Sequence, residues 1–326
     1  MSLDPDVLVD RRRLSRRVSL WRAVAFVLAL AALASAAALI GGGPAALGRG
    51  EHVARIAIEG LITDDRNLQK LIERAARDRN VKALLLAINS PGGTTTGSEA
   101  LYLAIREAAE KKPVVAVVGT VAASGGYIAA IAAERIIARG NSITGSIGVL
   151  FQWAQVSQAL ENLGIKFEEV KSAPLKAEPS PFTVTPEAAR AVMREMVADS
   201  YQWFLDLVAE RRGFAAAEAR RLGDGRVYTG RQALSAGLID AIGGEKEAVA
   251  WLAENKGLSA TIKVRDWKAS GDLEALGLLE RAALGLARAF GMRDILAPVL
   301  DQFDARGRLR LDGLVSVWHA PQDKAD

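Results

Sequence analysis

The chain contains no cysteine, which excludes disulfides, iron–sulfur clusters and thiol nucleophiles. Only two histidines are present, His52 and His319. With so few imidazoles and no thiolate, no metal centre is expected, and no cofactor is expected either. Neither histidine is close in sequence to the serine singled out below, so a histidine-based triad is disfavoured. Aromatic residues are sparse at 6%, and the net charge is only +4. No basic stripe is interleaved with aromatics, so nucleic acid is not an expected partner. No internal repeat is visible.

What the chain does have is apolar bulk. Half of its 326 residues are hydrophobic and a quarter are charged, enough for one large domain or two small ones. Basic residues gather only near the N-terminus. Five arginines between Arg11 and Arg17 precede an apolar run, Ala23–Ile40, interrupted only by Ser35. Eighteen helical residues span about 27 Å, close to the hydrocarbon thickness of a bilayer. Trp21 and Arg22 fall at its interface, and the arginines orient the N-terminus to the cytoplasm. Small residues in Ala32–Ala38 also suit a cleaved signal peptide, but the length of the run favours an uncleaved anchor. The expected organisation is a basic cytoplasmic segment (1–22), a transmembrane anchor (23–40), a linker (41–51), a main domain (52–265) and a helical and hairpin extension (266–326).

Beyond the linker, apolar strands alternate with helical periodicities. Strands are predicted at Val53–Ile58, Val81–Ile88, Val114–Gly119 and Arg135–Ala138, with a further strand running to Trp153. Helices are predicted at Leu68–Asp78, Gly97–Lys111, Ser124–Ala133, Gln155–Leu163 and Pro186–Arg212, the last with Thr185 as its N-cap. Such alternation implies right-handed crossovers and a mostly parallel sheet with flanking helices. Asn89–Gly93 reads as a turn, and the proline-rich Lys171–Pro181 as an extended segment or loop. Leu309–Leu311 and Leu314–Val317 read as a small hairpin about Asp312-Gly313.

The most informative stretch is Gly119-Thr-Val-Ala-Ala-Ser-Gly-Gly-Tyr127. A buried strand turns through small residues and opens a helix at Ser124, which presents a hydroxyl beside backbone N–H groups. Neighbouring parallel strands end at one crevice, so Pro91-Gly92-Gly93 is expected beside Ser124. Gly93 (or Gly92) and Gly125 suit the two N–H donors a tetrahedral oxyanion needs. If Ser124 is a nucleophile, a desolvated lysine is the base of suitable chemistry. Lys171 has carboxylates close by in Glu168-Glu169, which favour its charged form. Lys176, among Ala173, Pro174, Leu175 and Ala177, is the better candidate, with Lys171 the alternative.

These residues resemble the short form of the bacterial signal peptide peptidase A family. The resemblance rests on Glu59-Gly60, Ile88–Gly93, Ala123–Tyr127, Thr144–Val149, Lys171–Lys176 with Pro181-Phe182, Arg226–Gly230 and Gly237–Asp240, in that order and at the family's spacing. It covers Arg55 to about Leu252 and includes the N-terminal anchor. It implies a fold like those of Clp protease and crotonase, and a membrane-anchored serine protease with a Ser/Lys dyad. Ser124 falls at the family's nucleophile, Lys176 at its general base 52 positions later, and Ser146 at the serine that orients the lysine. One departure is Ala173, where the family usually has glycine. The resemblance further implies hydrophobic peptides such as cleaved signal peptides as substrates, contact with inner-membrane lipid, an extracytoplasmic catalytic domain and an octameric homo-oligomer. Three alternatives stand beside it: a sister peptidase that cuts specific membrane proteins, a crotonase-type acyl-CoA enzyme, and a non-enzymatic membrane scaffold.

Overall fold

Val81–Ile88 carries almost nothing but apolar side chains, and a strand of that kind is stable only when both of its faces are covered. It forms the heart of the sheet. The computed structural model describes residues 50–268, together with Val18, Trp21, Arg22 and the backbone of Val315–Val317. The chain divides into two units, residues 1–50 and 51–326. The expected anchor, 23–40, lies outside the described residues, and among those described no helix is long and apolar enough to cross a membrane.

The second unit runs β1 (His52–Ile62), α1 (Arg66–Arg77), β2 (Val81–Thr94), α2 (Thr95–Ala109), β3 (Val114–Ala123), α3 (Gly125–Ile131), β4 (Arg135–Ala138) and β5 (Ile143–Gly145). It continues with α4 (Ser157–Asn162), α5 (Glu187–Arg212), α6 (Ala216–Leu222), β6 (Val227–Thr229), α7 (Gly230–Ser235), β7 (Ala241–Ile242), α8 (Glu245–Lys256), β8 (Lys263–Trp267) and β9 (Val315–Val317). The main strand order is β6-β5-β3-β2-β1-β8, with β4 and β7 branching from β3 and β9 from β2. Every pairing is parallel except β5 with β6 and β2 with β9. The protein is therefore a mixed α/β sheet with flanking helices.

Strand alternation sorts the core into two layers. Ala54, Ile56, Leu84, Leu86, Val114 and Ala116 face α1, α2, α3 and α5. Val53, Ala83, Leu85, Val115 and Ile137 face the other way, against Ala248 and Leu252 of α8. Arg55, between two core positions of β1, instead reaches Asp266 of β8 and Glu245 of α8 and ties all three elements together.

α3 is short, and its last carbonyls are taken up from outside the helix. Arg211 of α5 donates to the carbonyls of Ile131 and Ala133 (2.9 and 3.1 Å), and Arg106 of α2 donates to Ala132 (3.1 Å). These contacts satisfy orphan acceptors and place positive charge at the negative end of the helix dipole. Tyr127, fully buried, donates its hydroxyl to Leu238 O at 2.8 Å, and burial pushes its phenol pKa up. Asp240 completes the clasp, accepting from Ile136 N at 2.7 Å and from Arg212 at 2.8 Å. The Gly237–Asp240 stretch thus anchors the helix that opens at Ser124.

Three expectations change. Asn89–Gly93 is the extended end of β2, because Gly92 and Gly93 pair with Leu61 and Ile62 of β1 and with β9. The strand expected up to Trp153 does not form, apart from a single bridge residue at Leu150. The N-cap of α5 is Pro186. Buried Thr185 instead accepts from the indole of Trp153 at 3.1 Å. Of the C-terminal hairpin, only Val315–Val317 is among the described residues, and it pairs antiparallel with β2.

Candidate active site

β2 and β3 run side by side until Ser90 pairs with Ala122, and then part. β3 goes on to pair with β5 through Val121–Ala123 and ends at Ser124. Ser124 has φ 55° and ψ −119°, a conformation few non-glycine residues adopt, at the N-cap of α3. Its N–H donates to Gly145 O (2.8 Å), and its carbonyl accepts from Tyr127 N and Ile128 N (2.9 and 3.0 Å). The surrounding hydrogen bonds therefore hold the strained turn. The side chain is buried, at 1% relative exposure.

The glycines around this turn are required by contact. A Cβ on Gly125 would lie 2.3 Å from Ser98 Oγ, 3.1 Å from Gly93 N and 3.3 Å from Gly92 Cα. A Cβ on Gly93 would lie 1.7 Å from Ile62 O. The backbones of Gly92–Gly93 and Ser124–Gly125 are thus packed directly against each other, as adjacent strand ends led us to expect.

Ser90 was not singled out from sequence, yet it organises this approach. Its hydroxyl donates to Gly60 O at 2.6 Å and accepts from Gly92 N at 3.1 Å, fixing the path of the chain just before Gly93. The legible signal is a serine two residues ahead of a glycine, an arrangement that bonds side chain to backbone locally. Ser90→Ala is expected to cost about 1–3 kcal/mol by leaving buried groups unpaired. It should also lower kcat more than it raises KM, as read from denaturant melts and steady-state kinetics on one preparation.

Ser146 lies one residue beyond the carbonyl that holds Ser124 N. It is half-buried, has φ 50°, and donates its own N–H to Arg226 O at 2.8 Å. The structure therefore brings together Ser124, Gly125, Gly92, Gly93 and the Gly145-Ser146 turn.

Lys176 differs from them. It sits in the turn Pro174–Ala177, with its N–H on Ala173 O at 3.0 Å, and its side chain is exposed. The expected enclosed lysine is not enclosed within this single chain. The physical reason is the segment that carries it: between β5 and α5 many apolar side chains are uncovered, including Leu163 at 73% and Val170 fully exposed. Lys171, the alternative, bridges Glu169 and Glu178 at 2.6 Å each. Those hydrogen bonds, with Glu169 first, raise its pKa above the usual lysine value, and Lys171 in turn holds Glu178 below the usual carboxylate range. A lysine stabilised in its charged form is poorly suited to be a base, which weighs against Lys171. Ala173 does not adopt a left-handed conformation, so the glycine usual there is not demanded by this turn.

Several known proteins are similar to this chain. The model of peptidase family S49 matches residues 106–259. A putative protease of Synechocystis is 35% identical over 211 residues, covering 64% of this chain and 76% of that protein. A putative signal peptide peptidase of Enterococcus faecium is 32% identical over 225 residues, covering 64% and 65%. A chloroplastic serine protease of Arabidopsis thaliana is 37% identical over 189 residues, covering 56% of this chain but 28% of its own length. All three are peptide-bond hydrolases by name. The chain belongs to peptidase family S49, and it is a serine peptidase. The acyl-CoA enzyme and the scaffold considered from sequence are thereby displaced.

Proposed function

We propose that this peptidase works through Ser124 as nucleophile and Lys176 as general base and acid, on hydrophobic peptides such as cleaved signal peptides. The observation that carries the reading is the packing of the strained Ser124–Gly125 turn against Gly93 N. A lone hydroxyl needs a base, and a carbonyl under attack needs N–H donors already in place. Lys176 Nζ takes the proton as Ser124 Oγ bonds to the peptide carbonyl carbon. The N–H groups of Gly93 and Gly125 hold the oxyanion. The tetrahedral intermediate collapses, the C–N bond breaks, and Lys176 returns the proton to the departing amine. Water then attacks the acyl-serine with the same lysine as base, releasing the carboxylate product and restoring Ser124. Ser146 orients the lysine.

A lysine offers a lone pair at neutral pH only where water is kept out. In our reading a neighbouring copy covers the exposed apolar segment that bears Lys176, which makes the enzyme a homo-oligomer, an octamer by family resemblance. Ala23–Ile40 anchors it in the inner membrane with the catalytic domain on the extracytoplasmic side, where spent signal peptides are released. Substrate choice is supported by the Enterococcus relative's name, and the membrane location by the apolar run Ala23–Ile40 in the sequence.

The test joins a fluorophosphonate probe to peptide digestion. The probe is expected to modify Ser124, located by mass spectrometry, and wild type to fragment a synthetic signal peptide that Ser124→Ala leaves whole. Modification elsewhere, or digestion by Ser124→Ala at the wild-type rate, would overturn the assignment.

A further inference from the structure

The first turn of α2 carries a buried hydroxyl that the helix itself does not need. Thr94 caps this helix, its side chain accepting from Gly97 N at 3.1 Å. Gly97 is seated so closely on the end of β1 that a Cβ there would lie 2.4 Å from Thr63 C. The turn is therefore fixed in place, and the next residue is Ser98, with no exposed surface at all. Ser98 Oγ donates to Thr94 O at 2.9 Å. A serine that bonds back to the carbonyl four residues earlier does not strengthen a helix, and alanine is the better helix former. Local structure thus gives no reason for an oxygen at this position.

The reason lies across the packing boundary, in α3. The Cβ direction of Gly125 ends 2.3 Å from Ser98 Oγ. The hydrogen that glycine carries there points at the oxygen, the geometry of a weak Cα–H···O contact. Gly126, the next residue, is equally confined, since a Cβ on it would lie 2.6 Å from Ser90 O. Gly125 opens α3, so its N–H has no acceptor within the helix and is free to serve a substrate oxygen. We infer that Ser98 is a positioning residue for the oxyanion site. Tied to Thr94 O, its oxygen is the stop against which Gly125 rests, and it sets the angle at which the Gly125 N–H meets that of Gly93. The inference rests on Ser124 being the reacting residue and on those two N–H donors, and it adds what aims one of them. Aim matters because a displacement of about 1 Å in such a site can cost about 10²-fold in rate.

Full-length variants test this. Ser98→Ala should fold, and is expected to lower kcat on a hydrophobic peptide by about ten- to a hundredfold with KM within about twofold of wild type. A peptide boronic acid places an oxygen where the oxyanion forms, so its inhibition constant should weaken by about the same factor as kcat/KM. A packing role alone would lower Tm and leave both constants where they were. The second arm is a double-mutant cycle with Gly125→Ala. That methyl group meets Ser98 Oγ, and once the oxygen is removed the next neighbours are Gly93 N at 3.1 Å and Gly92 Cα at 3.3 Å. The double variant Ser98→Ala/Gly125→Ala is therefore expected to turn over at least about tenfold faster than Gly125→Ala. Wild-type kcat and boronate inhibition in Ser98→Ala, or a double variant whose kcat is the product of the two single effects, would overturn the inference. Fluorophosphonate labelling of the wild type reads the nucleophile separately. If Ser124 stays unmodified while hydrolysis persists, that assignment fails instead, and the coupling of Ser98 to Gly125 is still read from the hydrolysis rates.

Discussion

Purified Lys176→Arg is expected to lose peptidase activity by at least about 10³-fold while keeping its fold and its charge. Removing a member of a catalytic unit that acts in concert costs this much or more in comparable serine enzymes. Arginine is the informative substitution, because guanidinium carries the same charge and comparable length but cannot act as a base in a protein. A role in binding an acidic group or in forming a surface ion pair would survive the change, whereas a role in proton transfer would not. The companion substitution Lys171→Arg should retain most activity, since its partners Glu169 and Glu178 accept from a guanidinium as readily. The measurement is kcat/KM on a fluorogenic hydrophobic peptide for the three proteins, with circular dichroism to establish the fold. Substantial turnover by Lys176→Arg would move the base elsewhere. The proposed covering of Lys176 by a neighbouring copy adds a further expectation: activity should fall as the protein is diluted, because solvent then reaches the amine.

The second large effect is expected for Gly93→Ala. A methyl group there would lie 1.7 Å from Ile62 O, 2.5 Å from Ile62 C and 2.6 Å from Ile62 N, all backbone atoms of the adjacent strand. No side-chain rotation relieves such a contact, so β1 and β2 must separate where Gly92 and Gly93 pair with Leu61 and Ile62. Overpacking of this kind costs about 3 kcal/mol or more, which for a domain of this size lowers Tm by about 6 °C or more. The surviving folded molecules should also show kcat reduced by about 10²–10³-fold, the usual cost of losing one oxyanion donor. Gly213→Ala is the control. Gly213 closes α5 at φ +67° with nothing near its Cβ position, so alanine there pays only the left-handed penalty of about 1–2 kcal/mol, and kcat should hold. Equal kcat in Gly93→Ala and wild type would remove Gly93 from the oxyanion site.

Much of the sheet could be read from the chain before any coordinates. The continuous apolar run at Val81–Ile88, the helical spacing after it and the short strand Arg135–Ala138 all express periodicities that local sequence records directly. The serine-opened helix after Ala123 could be read for the same reason, since only small residues permit that turn. Other features were hidden because they depend on partners distant in sequence. Asn89–Gly93 carries proline and glycine, the usual marks of a turn, but two neighbouring strands supply hydrogen bonds that hold it extended. Thr185 has the chemistry of a cap, yet the indole of Trp153, 32 positions earlier, claims its hydroxyl. Lys171 could be judged charged from nearby Glu169, whereas its other partner, Glu178, emerged only when the Pro174–Ala177 turn folded the loop back.

By itself the sequence pointed to the class of chemistry proposed above: with no thiol and only two histidines, a hydroxyl at a glycine-rich strand end directs the search for a base to lysine. Local residue types settle such matters, because intrinsic reactivity and turn geometry belong to a few neighbouring atoms. Tertiary structure alone decided that Gly93 meets Gly125, that Ser90 sets their approach, and that Val315–Val317 pairs with the end of β2. Those are contacts between segments far apart in the chain, and they exist only once burial of the sheet has paid the entropy of bringing them together.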